Sequence, residues 1–132
     1  MERVHVATGV VFVLIACAAC GSPLPPSSSA VGDWEGRDVT HFEYLHIRFT
    51  QQGSNLQGTA CYTSDVHLVF SGVPAQVNYP HVSVSAPNGF TFVGEFQANG
   101  TISGNRGTGA SSYPMTLTRD TFGGYAVLCT TP

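Results

Sequence analysis

Four histidines, seven acids and two cysteines are the side chains of residues 31–132 with the means to do chemistry. Imidazole is a common ligand for zinc and copper, yet His41, His46, His67 and His81 include no pair at alternate positions of one strand or one helical turn apart. His46 and His67 alternate with apolar neighbours, which assigns them to a solvated strand face. No metal and no cofactor is expected on these grounds. Nucleophilic catalysis needs Ser or Cys beside a histidine base and an orienting acid. The serines sit at 27–29 and in turns such as Ser111-Ser112, and there is no Gly-x-Ser-x-Gly turn. Asp33, Glu35, Asp38, Glu43, Asp65, Glu95 and Asp120 are scattered without an evident dyad, so the chain is not expected to be an enzyme. No Gly-rich phosphate loop opens onto a helix, which sets nucleotides aside.

The elements that must carry these side chains have period two. Leu45, Ile47 and Phe49 alternate with His46, Arg48 and Thr50, and Phe90 and Phe92 alternate with Thr91 and Val93. Further strands are expected near 33–39, 56–63, 67–73, 81–85, 101–105 and 113–119, about eight in all, at the spacing of an all-β barrel or sandwich. Asn88-Gly89 and Asn99-Gly100 predict hairpins with type I′ turns, and Gln52-Gly53-Ser54-Asn55 predicts another between the second and third strands. Gly36, Gly58, Gly72, Gly94 and Gly104 recur inside strands, where glycine marks a bend or a close backbone approach. A small antiparallel up-and-down barrel is the leading expectation, and a two-sheet β-sandwich is the alternative.

Gly32-Asp33-Trp34 in the first strand and Arg119 in the last resemble the Gly-x-Trp and terminal arginine of the lipocalin-like barrels, which include lipocalins, fatty-acid-binding proteins and avidins. The resemblance extends loosely over 32–119, and it implies that Trp34 and Arg119 pack together to close one barrel end. The chain is also similar to bacterial lipoproteins with glycine-punctuated strands, which supply no activity to transfer.

The start of the chain bears on location. An apolar run from Val6 ends in cysteine and gives way to Gly-Ser-Pro-Leu-Pro-Pro-Ser-Ser-Ser, too short for a span of about 20 apolar residues. Leu14-Ile15-Ala16-Cys17 resembles the bacterial lipoprotein signal, in which the cysteine is lipidated before cleavage. Cys20 is the alternative anchor, and a plain secretory signal is a further one. The division expected is a signal peptide at 1–16, a Pro/Ser-rich solvated tether at 17–30 and a barrel domain at 31–132. The lipoprotein resemblance implies a bacterial envelope location, lipid-anchored, with an outer-membrane destination facing periplasm or surface. Export places Cys61 and Cys129 in an oxidising compartment, where a pair more often bridges than stays free. The apolar segment ending in Cys129 is then expected to fold back on the barrel.

Charged residues are 10% of the chain, lysine is absent and the net charge is -3, which argues against nucleic acid, whose binding needs clustered Lys and Arg. Phe42, Tyr44, Phe49, Tyr62, Phe70, Tyr79, Phe90, Phe92 and Phe96 either line a cavity or fill the barrel, and filling is preferred because eight strands enclose little more than side chains. The expectation is a monomeric, non-enzymatic envelope module, structural or interacting with an envelope protein. The alternative is a carrier for a small apolar ligand.

Overall fold

A computed structural model describes residues 23–65 and 67–130. The anchor candidates Cys17 and Cys20, and the expected signal peptide, lie outside the described residues.

Eight strands form one closed antiparallel barrel, in chain order all the way round. They are β1 (Gly32–Asp38), β2 (Glu43–Gln52), β3 (Asn55–Ser64), β4 (His67–Asn78), β5 (His81–Ser85), β6 (Phe90–Phe96), β7 (Ile102–Thr108) and β8 (Ser111–Arg119). Alternation drives each strand's facing. Phe90, Phe92 and Phe96 of β6 are buried, while Thr91, Val93 and Glu95 between them are exposed. A one-residue slip would turn every phenylalanine into water, so the register is strongly specified. Closure comes from β1 against β8, with Trp34 opposite Arg119, Glu35 opposite Thr118 and Gly36 opposite Leu117.

The turns are where expected but of another type. Gly89 donates from its N–H to Ala86 O at 3.1 Å and alone takes a positive φ, 89°, while Ala86 N pairs with Phe90 O. That is a type I turn followed by a left-handed glycine. A type I′ turn needs positive φ at both central residues, and Pro87, first in the turn, holds φ near about −65°. Asn99-Gly100 repeats the geometry, with Gly100 N–H donating to Gln97 O at 3.1 Å. In each turn the asparagine Oδ1 accepts the N–H two residues on.

Side chains fill the interior. The Tyr62 and Phe90 rings lie 4.3 Å apart and the Phe49 and Phe96 rings 5.5 Å. Gly94 and Gly104 make this packing possible, since a Cβ at Gly94 would stand 2.7 Å from the Phe92 ring and one at Gly104 would stand 2.3 Å from Val93 O. Two of the candidate lining aromatics are elsewhere. Phe42 is exposed in the β1–β2 loop at φ 54°, and Tyr44 faces outward with the Arg37 guanidinium 5.7 Å from its ring.

The expected solvated tether ends early. Ser27–Ala30 form a 3-10 turn, and Ala30 is buried in the core. The Trp34 indole N–H donates to Ala30 O at 2.8 Å, which fastens the turn over one barrel end. Arg119 donates to Val31 O at 2.6 Å and to Ser29 O, and its guanidinium lies 4.4 Å from the Trp34 ring. The carbonyls of Ser29, Ala30 and Val31 accept from the Trp34 and Arg119 side chains, which ties this segment to the barrel.

Candidate functional site beneath the C-terminal strap

Glu35 of β1 stands directly opposite His46 of β2, and His46 directly opposite Cys61 of β3. Strand parity points all three outward, since their neighbours Leu45, Ile47 and Ala60 fill the interior. In a bare barrel this row would be wet. Residues 120–130 cover it as a strap that contacts β1, β2, β3 and β4.

The strap is built locally by Asp120. Its own N–H donates to Asp33 O at 2.9 Å, extending the β1–β8 pairing by one step. Its Oδ1 accepts the Phe122 N–H at 3.0 Å and its Oδ2 the Tyr125 N–H at 3.1 Å, turning the chain back along the wall. A single wide helical turn, Tyr125–Cys129, follows. Arg48, paired to both Asp33 oxygens at 2.7 and 2.9 Å, lies 4.2 Å over the Tyr125 ring. Cys129 is joined to Cys61 by a disulfide with Cα atoms 5.6 Å apart, and Cys129 O accepts from the Ser71 hydroxyl at 2.8 Å. Ser71 and Gly72, the latter at φ 67°, belong to a stretch of β4 that carries extra residues relative to β3.

Under the strap His46 is only 1% exposed, and neither ring nitrogen has a hydrogen-bond partner among the described residues. Its Nδ1 lies 3.6 Å from Glu35 Oε2, too long for a hydrogen bond. Leaving a buried polar group unsatisfied costs about 1–3 kcal/mol. Burial pushes His46 below its ordinary value, against the pull of Glu35 and Asp120, and so favours neutral imidazole. Burial also pushes the Asp120 carboxyl upward, but the Tyr125, Phe122 and Gly123 N–H groups together with His46 outweigh it and the net direction is down. One ligand atom each from Glu35, His46 and Asp120 falls within 4.8 Å of the others. A crevice of about 260 Å³ opens beside Glu35 and His46, with Arg37, Thr63 and Phe122 in its walls.

A second polar cluster closes the far barrel end. Arg106 points inward from β7 and is 2% exposed. It donates to Asp38 Oδ2 at 2.6 Å, pairs with Glu43 Oε2 at 2.5 Å and lies 4.8 Å over the Tyr113 ring. The Arg106 hydrogen bond holds Asp38 well below the usual carboxylate range. Burial, with Glu43 beside it, pushes the Tyr62 hydroxyl upward. His41 contacts Asp38 Oδ2 at 3.0 Å, so Asp38, His41 and Glu43 also converge. Their cation is already present as the guanidinium.

The solvated-face assignment holds for His67, which is exposed, as is His81. It fails for His46, which the strap removes from water. Arg106 and the meeting of Asp120 with Glu35 were missed as well. The one available signal for Arg106 is its parity with Ile102, which points both inward. No protein-family model, no curated protein and no solved structure matches the chain.

Proposed function

We propose that this chain is an exported, lipid-anchored envelope protein whose small lipocalin-like barrel is a non-enzymatic structural or interaction module. The observation that carries this reading is the packed interior. Where a carrier for an apolar ligand needs space, Tyr62, Phe90 and Phe92 are buried and the Tyr62 ring packs on those of Phe70 and Phe90. A filled lumen supports a function carried by the outer surface and the strap. The Cys61–Cys129 bridge supports an oxidising compartment. Trp34 stacked under Arg119 at the barrel end supports the lipocalin-like comparison. The Leu-Ile-Ala-Cys signal supports an anchor at Cys17, which adds roughly 0.8 kcal/mol of membrane affinity per buried CH₂ of each acyl chain.

Growth of a bacterial host with a fatty-acid analogue tests the anchor. Cys17→Ser is expected to abolish labelling and release the protein from the membrane fraction. Labelling that survives Cys17→Ser and disappears in Cys20→Ser moves the anchor by three residues, and labelling lost in neither rejects lipidation at these cysteines. Native mass spectrometry of the envelope-extracted protein is expected to find no apolar small molecule in the barrel. A retained one would transfer support to the carrier reading.

A further inference from the structure

We propose that Glu35, His46 and Asp120 bind a divalent transition-metal ion between the barrel wall and the strap. The proposal stands whether or not the chain is lipid-anchored. Three different parts of the chain bring the donors together: Glu35 from β1, His46 from β2 and Asp120 from the first residue beyond β8. Their ligand atoms lie within 4.8 Å of one another. Two ligands of one tetrahedral ion bound at about 2.0–2.1 Å are separated by about 3.3 Å. Glu35 Oε2 and His46 Nδ1, at 3.6 Å, are near that separation and beyond hydrogen-bond length.

His46 supplies the independent observation. It is 1% exposed, faces the two carboxylates, and has no hydrogen-bond partner on either nitrogen among the described residues. A coordinated ion satisfies one of those nitrogens where no protein group does. The carboxylates are free to take part. Glu35 Oε1 is engaged by Arg37, which leaves Oε2 turned to His46, and the Asp120 carboxylate, accepting the Phe122, Tyr125 and Gly123 N–H groups, keeps one of its about four lone-pair sites. One imidazole with two carboxylates suits zinc and its first-row neighbours better than calcium or magnesium, which favour all-oxygen sites. Three protein ligands leave a position for water, and the crevice of about 260 Å³ borders two of them, Glu35 and His46.

Gly124 points the same way. Its φ is −56°, a value any residue adopts, so backbone conformation does not require glycine there. Space favours it. A Cβ would stand 3.0 Å from Glu35 Oε2, 3.0 Å from His46 Cε1 and 3.3 Å from Asp120 Oδ2, so all three side chains would have to give by a few tenths of an ångström.

The test uses the full chain, oxidised, without a polyhistidine tag, stripped with chelator and titrated with Zn²⁺ in a calorimeter. One equivalent is expected to bind with Kd at or below about 10 μM. Glu35→Gln and His46→Gln should each weaken binding at least about tenfold, and Gly124→Ala should weaken it with every donor still present. Should a variant fail to fold, the wild-type protein decides, since Zn²⁺ must shift the ¹⁵N resonances of the His46 imidazole. No binding at Zn²⁺ up to about 1 mM, wild-type affinity in both ligand variants, or a shift confined to other histidines would overturn the proposal.

Discussion

The two barrel ends solve the same problem with different chemistry. At the end where β1 begins, the chain itself forms the plug: the Ser27–Ala30 turn sits on Trp34, and Arg119 lies across the indole while donating to backbone carbonyls. Arg119 remains exposed. At the opposite end the plug is one buried arginine, Arg106, neutralised by Asp38 and Glu43 from the β1–β2 hairpin. A guanidinium at the surface adds to a closure that apolar contact already makes. A guanidinium inside the barrel is the closure, and its charge must be answered at once. The same residue type is therefore an accessory at one end and a requirement at the other.

Removing the inner arginine should have the largest effect. Arg106→Met leaves Asp38 and Glu43 facing each other without their counterion, and a loss of about 3 kcal/mol is expected in urea denaturation, the scale for breaking a buried ion pair. Wild-type stability in that variant would mean that methionine fills the end as well as the salt bridge does, and the contrast between the ends would collapse.

Arg119→Ala should cost about 1 kcal/mol, the scale of a partly exposed cation–π contact. It should also shift the fluorescence of Trp34, the single tryptophan. A loss as large as that of Arg106→Met would make the two ends equivalent.

The third difference is one of pH. Asp38 is held below its unfolded value, so its contribution is fully present above about pH 4 and is lost as pH falls through the folded value. Melting temperature in the wild type should fall as acid is added below about pH 4, and that part of the slope should vanish in Arg106→Met. An unchanged slope would assign the acid sensitivity to groups away from Arg106.

Much of the barrel was legible because alternation is a local property. Leu45, Ile47 and Phe49 need no knowledge of distant residues to declare an inner face, and Asn-Gly marks a turn wherever it falls. The turn type escaped because an Asn-Gly pair that ends a type I turn reads the same as one at the centre of a type I′ turn, and both turns here are of the first kind. His46 escaped for a deeper reason. Parity tells which face of a strand a side chain occupies but not what later lies on that face, and the cover comes from residues 120–130. Arg106 was hidden likewise, since its partners Asp38 and Glu43 are brought to it only by closure of the barrel. The bridge of Cys61 to Cys129 was readable, being inferred from compartment and apolar tail rather than from contacts.

The strap has a mechanical consequence. The β1–β8 seam pairs only three residues of each strand directly, the shortest ladder in the barrel, and the incoming chain meets β1 beside it. A pull on the N-terminal segment is thus delivered to the strand with the weakest lateral grip. Yet β1 and β2 lie beneath a strip of chain that leaves β8, crosses them, and is welded to β3 at Cys61. To peel β1 away, the load must first lift that strip, so the barrel resists unzipping at its most vulnerable edge by a buckle rather than by more hydrogen bonds.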